Sequence, residues 1–215
     1  LFSTLYGPLM EYGISVLGPA YGKWYNPNVE DYTAYDPDLA AFLLDEAGYT
    51  LNPVTGVRID PATGTDMRTL DLMYYTEVPQ AVAETERLRD EMKAVGIPVK
   101  LTPAPFGTGE WWNKALTGDF DITIIGVSWT GYPEGIYIIW DSHSPPDWLN
   151  FQRYSNPEFD AQMDIFHNSL NETEVVDAVW KAQEILAEDV AIIMGGYPVT
   201  YTAYSDEWTG MIEAP

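Results

Sequence analysis

The chain contains no cysteine, so disulfides, thiolate catalysis and cysteine-ligated zinc are excluded. Basic residues are scarce: 10 Lys and Arg stand against 33 Asp and Glu, for a formal charge of −23. Phosphate binding needs clustered Lys and Arg, and ten spread over 215 residues form no patch, which argues against a nucleic-acid partner. An anionic membrane surface is disfavoured for the same reason. No run approaches the roughly 18 apolar residues of a spanning helix; the longest, such as Ile122–Val127, have strand length. The two histidines, His143 and His167, lie in no ligand-spaced motif. Imidazole and carboxylate sites need three or four converging groups, so neither a metal nor a cofactor is expected.

Signs of catalysis are also missing. Ser128 and Ser142 have no G-x-S-x-G context. No phosphate-cradling glycine loop is present. Asp119 and Asp121 flank Phe120, and Asp36 and Asp38 open a predicted helix. Carboxylates near helix starts ordinarily serve as caps and dipole partners. A glycosidase would need a pair roughly 5–9 Å apart across a cleft, which sequence cannot display.

What is present is ample apolar material. At 46% hydrophobic and 14% aromatic, the chain can build a core despite its charge. Residues 1–35 are rich in Gly, Pro and Tyr without a sustained period, and read as an extended segment over the surface. Asp36-Pro37 supplies an N-cap and a first-turn proline, predicting a helix over 36–47 with Leu39, Leu43 and Ala47 as its stripe. Gly48 fits its stop.

Turns around Thr55-Gly56 and Thr63-Gly64 bracket a short strand at 57–59. A strand over 69–76, a helix over 79–95, a strand over 97–102 and a short helix over 109–117 follow. The run 120–127 reads as a central strand buried on both faces. Helices are predicted over 134–141, after Asn156-Pro157 with Phe159, Met163, Phe166 and Leu170 at helical spacing, and over 172–188, where Asn171 and Glu174 resemble a capping box. β segments at 190–195 and 198–204 close the chain. Alternating strands and helices mean α/β layering over a mostly parallel sheet.

The aromatics are numerous, with 8 Trp and 15 Tyr. Trp24, Tyr25, Trp129, Tyr132 and Trp148 fall in predicted turns or loops. Such rings either fill a core or line a ligand cleft, since they offer rigid area with a polar tip. The loop 128–135 leaves the carboxyl end of the predicted buried strand, where ligands gather in α/β sheets. That favours the cleft for this loop.

Several segments, in order over residues 18–204, resemble the oligopeptide/dipeptide-binding family (family 5) of extracytoplasmic solute-binding proteins of ABC importers. Gly18-Pro19-Ala20-Tyr21-Gly22 with Asn26-Pro27 resembles the segment leading into the second large lobe. Tyr35–Ala40 with Leu43–Tyr49 resembles the "YDPxxAxxLLxEAGY" helix. Gly96-Ile97-Pro98-Val99 fits "GIxV", and Glu110-Trp111 with Gly118–Asp121 matches "EW … GDFD". Tyr154–Asp160 matches "YSNPEFD", and Ala182–Asp189 matches "AQxILxED".

The resemblance implies a periplasmic-binding-protein-like type II lobe, a mixed and mostly parallel sheet flanked by helices. It implies that residues 1–215 form one lobe of a two-lobed protein, with the first lobe absent. The absence of a start Met and of a signal peptide fits such a fragment. It implies a binding protein and not an enzyme, with a small-molecule or peptide ligand and ABC permease subunits as partners. The location implied is extracytoplasmic, and any membrane tie runs through the permease or an anchor outside this chain.

Of the binding positions, the Trp of "EW" falls on Trp111. The loop that usually reads like "GWxADYPDP" is here Gly126–Glu134, with Trp129 two residues late and Tyr132-Pro133 matching "YP". The Asp that takes a peptide's amino terminus in the family is replaced by Gly131. Trp111, Trp129, Gly131 and Tyr132 are therefore the expected ligand-facing positions. Three alternatives stay open: an oligosaccharide binder of the same fold, an acidic polysaccharide-active hydrolase, and an interaction module using the aromatic face.

Overall fold

In chain order the first elements are β1 (Met10–Glu11), a 3₁₀ helix (Pro19–Trp24), α1 (Pro37–Glu46), β2 (Ile59–Asp60), β3 (Thr65–Asp66) and β4 (Leu70–Tyr74). Then come α2 (Pro79–Ala94), β5 (Val99–Pro103), α3 (Glu110–Thr117), β6 (Ile122–Thr123), α4 (Glu134–Trp140), α5 (Pro157–Asn168), α6 (Glu172–Glu188) and β7 (Tyr197–Pro198). The structure is a computed structural model and describes residues 7, 10–127, 131–144, 149–199, 205 and 207. Contacts divide the chain into two compact units: residues 34–127, and residues 1–33 with 128–215. Ser128, Trp129, Trp148 and the end of the segment 198–204 lie outside the described residues.

The unit 34–127 is α/β. Its three-stranded sheet has the order β5-β4-β6, and both pairings are parallel. Leu72 and Met73 of β4 are both wholly buried. Neighbouring strand residues point to opposite faces, so β4 is covered on both sides. The buried central strand is thus β4. The apolar run expected to hold that position pairs only as the two-residue edge strand β6, with half-buried side chains. Composition alone does not distinguish a centre from an edge; pairing does.

Asp36 caps α1 as expected, its carboxylate accepting from Leu39 N at 2.8 Å. The predicted stripe, however, faces outward. Leu39 and Leu43 are exposed, and Ala40, Ala41 and Leu44 turn partly inward. The inner face is rotated by about one residue.

A buried arginine ties this unit together. Arg58 donates to Val95 O at 2.8 Å, Tyr49 O at 2.7 Å and Ala41 O at 3.3 Å, and pairs with Asp45. One guanidinium therefore joins α1, the turn after it and the end of α2. Its planar fork can satisfy several acceptors at once.

The unit of residues 1–33 and 128–215 is built on the pairing of α5 and α6. Asn156 and Asn171 cap them, accepting from Glu158 N and Thr173 N at 2.8 and 3.1 Å. Glu174 bonds Ser169 Oγ at 2.6 Å instead of closing the expected capping box. Phe159, Met163, Phe166, Val179, Ala182 and Leu186 form the core with Leu17, Trp24, Ile136 and Trp140.

The N-terminal segment does not run over the surface as expected: Leu17 and Trp24 enter the core, and buried polar groups pin the segment there. Gln183 Oε1 accepts from Ser15 Oγ at 2.8 Å and Asn26 N at 3.2 Å. Its Nε2 donates to Trp24 O at 2.8 Å and Val179 O at 3.0 Å. Tyr197 Oη donates to Ser15 O at 2.7 Å and accepts from Ser15 N at 3.1 Å. Burial pushes that phenol up to about 12, so it stays a neutral donor. β7 pairs antiparallel with β1. The expected β segment at 190–195 is irregular.

Candidate functional site

Because all three strands of the sheet are parallel, their carboxyl ends lie at one edge, where ligands bind in open α/β sheets. β4 delivers Tyr75 there and β5 delivers Phe106. Tyr75 and Phe106 lie 5.1 Å apart between ring centroids, and Phe106 lies 5.9 Å from Trp112. Beneath them Trp111 stacks on Phe106 at 4.9 Å. The result is an aromatic shelf. Its upper surface is Tyr75, Phe106 and the 37% exposed Trp112.

Trp111 itself is 0% exposed. It points inward with Ala115, one helical turn on, while Trp112 points out. In this structure the ring that meets solvent is therefore Trp112. Sequence reasoning missed Tyr75, Phe106 and Trp112 as a group, because only the parallel pairing brings the ends of β4 and β5 together.

Glu77 borders the shelf. Its carboxylate accepts from Gly107 N at 2.9 Å and Thr76 N at 3.1 Å, and the Gly107 bond chiefly holds it below the usual carboxylate range. Burial and then the charge of Glu84 raise the Tyr75 phenol, which stays protonated at neutral pH.

Gly131 and Tyr132 belong to the other unit. Tyr132 sits edge-on to Trp24 at 5.4 Å and tilted on Phe166 at 5.5 Å, and remains 48% exposed. Lys23 Nζ lies 4.8 Å over the Trp24 ring. A Cβ at Gly131 would meet no heavy atom within 4 Å among the described residues. Packing therefore does not demand glycine there. The expected position Trp129 lies outside the described residues.

His143 has two acidic neighbours, Asp141 two residues before it and Asp160 brought in by the fold. Donor atoms of Asp141, His143 and Asp160 lie within 4.8 Å of one another. Their bonds are already made locally. Asp141 Oδ1 accepts from His143 N at 2.6 Å and contacts its Nδ1 at 2.9 Å. Asp160 accepts from Ser142 N at 3.0 Å and Ser142 Oγ at 2.6 Å. The bond to Asp141 raises the His143 imidazole. The group reads as a brace joining residues 141–144 to the start of α5. His167 lies on the surface of α5, beside Tyr137.

The description "Bacterial extracellular solute-binding proteins, family 5 Middle" matches residues 1–150. The chain belongs to this family. It is one of solute-binding proteins, not of enzymes. The chain is similar to the oligopeptide-binding protein OppA of Lactococcus lactis subsp. lactis strain IL1403, with 26% identity over 209 residues, covering 91% of this chain and 33% of the relative.

Among solved structures it resembles Bacillus subtilis AppA in complex with a nonapeptide. The TM-score is 0.75 at 18% identity, over 87% of this chain and 37% of that one. It also resembles a periplasmic oligopeptide-binding protein of Thermotoga maritima with mannohexaose bound. There the TM-score is 0.70 at 24% identity, over 87% and 36% of the two chains. The fold is that of type II periplasmic binding proteins. The chain spans about a third of the length of the curated relatives it matches. Among the described residues no helix is long and apolar enough to cross a membrane.

Proposed function

We propose that the chain supplies the ligand-binding lobe of a substrate-binding protein serving an ABC importer. The parent protein captures oligopeptides, dipeptides or related solutes between two lobes, and hinge closure shields the ligand and presents a closed shape to the permease. The observation that carries this is the family match over residues 1–150, joined to 26% identity with an oligopeptide-binding protein. Both units belong to the one lobe in this reading, and the parent works outside the cytoplasm.

Trp129, Gly131 and Tyr132 are the ligand-facing positions of one unit. In the other, Trp111 serves from below, fixing the planes of Phe106 and Trp112, which make the contact. The chemistry required is modest: rigid aromatic area, backbone groups and no nucleophile.

A second reading is an oligosaccharide ligand. It is favoured by Gly131, which removes the carboxylate expected for a peptide ammonium, and by the aromatic shelf with its exposed Trp112, on which sugar rings can stack. Thermal shift on the full-length two-lobed protein separates the two, since a ligand that binds the native state raises the melting temperature by mass action. Peptides should raise it and mannohexaose should not. Stabilisation by neither class contradicts the proposal.

A further inference from the structure

Asp141 ends α4, His143 lies in the turn that follows, and Asp160 stands in the first turn of α5. One donor atom from each lies within 4.8 Å of the other two. Both carboxylates are buried, Asp141 at 1% and Asp160 at 9% exposure, while the His143 side chain is 67% exposed. The histidine spacing that argued against a metal could not show Asp160, which arrives only through the fold.

Buried carboxylates are held by a paired charge or by a metal ion. This group has two carboxylates and a single imidazole, which is cationic only when protonated. Ser142 answers Asp160 with an amide and a hydroxyl, and neither carries charge. Even with His143 protonated, the group itself keeps a surplus negative charge. A third carboxylate stands close by. Asp164 is exposed and lies one helical turn beyond Asp160 on the same face of α5. The Asp141 bond raises the His143 imidazole most, and the charges of Asp160 and then Asp164 add to it.

An imidazole nitrogen with carboxylate oxygens is a donor set that suits Zn²⁺, bound tetrahedrally at about 2.0–2.2 Å. Donors in that array lie roughly 3.4 Å apart. His143 Nδ1 and Asp141 Oδ1 are already at 2.9 Å. The remaining separations are at most 4.8 Å, so closure by little more than about 1 Å completes the array. The exposed His143 ring is free to make that adjustment.

We propose that Asp141, His143 and Asp160 form a divalent-cation site that prefers Zn²⁺, with Asp164 beside the fourth position. The ion takes the place of the proton between Nδ1 and Oδ1. It staples the end of α4 to the start of α5. Tyr132 lies just ahead of α4 and packs on Phe166 of α5 at 5.5 Å, so the same ion stiffens the seat of that ring. The site does not depend on which solute the protein carries.

The test uses the chelator-treated, ¹⁵N-labelled 215-residue chain, titrated with zinc, magnesium and calcium chloride. Its two imidazoles give a clean readout. Zn²⁺ should bind one per chain, roughly a hundredfold or more tightly than Mg²⁺ or Ca²⁺, since imidazole selects against the harder ions. It should shift the His143 ring nitrogens, leave those of His167 in place, and raise the melting temperature by mass action.

His143→Gln and Asp160→Asn should each weaken Zn²⁺ by roughly tenfold or more, and Asp164→Asn by less. His143→Gln alters an exposed side chain, so it keeps the test decisive if Asp160→Asn fails to fold. Three results overturn the proposal: no Zn²⁺ binding below millimolar concentration, a Zn²⁺ affinity no higher than that for Mg²⁺, or a Zn²⁺ affinity unchanged in His143→Gln or in Asp160→Asn. The last two would mark an adventitious ion only, held by the acidic surface. None of the three touches the solute-binding reading.

Discussion

Replacing Gln183 by Leu tests how the N-terminal segment is held, and with it the seat of Tyr132. The two side chains are similar in volume, so the main change is chemical. Gln183 is 1% exposed and bonds Ser15 Oγ, Asn26 N and Trp24 O, besides Val179 O one turn back in its own helix. Leucine leaves Asn26 N–H and Trp24 C=O without that partner in a buried setting. Each orphaned buried group costs about 1–3 kcal/mol. The Ser15 hydroxyl can rotate, and leucine gains some transfer free energy, so the net loss should be about 3 kcal/mol. For a chain of this length that corresponds to about 6–12 °C in melting temperature. Urea unfolding followed by tryptophan fluorescence reads it as a lower midpoint with little change in slope. Tyr132 packs on Trp24, so the local Tyr132 resonances should also broaden or shift. A loss below about 1 kcal/mol would refute the claim that this amide organises the segment.

Three further outcomes are expected. Gly131→Asp should be tolerated within about 0.5 kcal/mol, since nothing lies within 4 Å of the new Cβ among the described residues. In the full-length protein it should tighten peptides with a free amino terminus by roughly tenfold or more, the scale of one charge-assisted bond; calorimetry showing no gain over an acetylated peptide would contradict this. Gly96→Ala should destabilise by about 2–4 kcal/mol, because φ is +88° and the new Cβ would sit 2.7 Å from Leu51 Cδ1 and 3.0 Å from Arg58 Cγ; an unfolding midpoint equal to wild type would refute it.

Asp121→Asn tests pH linkage. Arg68 chiefly, then the Asp71 N–H, hold Asp121 below its ordinary value. A depressed folded-state value stabilises above the unfolded value and is lost as pH falls through the folded one. Wild type should therefore exceed the variant by about 1 kcal/mol at pH 7, with the gap closing toward pH 3. A gap independent of pH would contradict the assignment.

Much of the fold was legible because local signals and tertiary demands agreed. Asp36-Pro37, Asn156-Pro157 and Asn171 cap helices where their sequences say they should. Pro79 opens α2, and Phe159, Met163 and Phe166 are buried on α5 as expected, whereas Leu170, the fourth member of the predicted stripe, lies past the end of the helix and is exposed. What failed depended on pairing. An apolar run suits a central strand, yet residues 120–127 supply an edge and the less uniform β4 supplies the centre. The stripe of α1 was misread by one position because Leu39 and Leu43 mark an apolar face without saying what covers it.

The candidate site was half legible for the same reason. The family resemblance marks Trp111 and the loop 128–135 by local motif. The half-buried Tyr75 and Phe106 and the exposed Trp112 become neighbours only once β4 and β5 run parallel. The brace of Asp141, His143 and Asp160 likewise needs α5 folded back on the loop.

Photolabelling tests the central claim of solute capture most directly. A benzophenone-bearing oligopeptide would be cross-linked to the full-length protein, and the adducts mapped by mass spectrometry. The account predicts adducts in residues 75–77, 105–112 and 128–132, suppressed by excess unlabelled peptide. Adducts confined to other segments, or labelling that unlabelled peptide does not suppress, would contradict it.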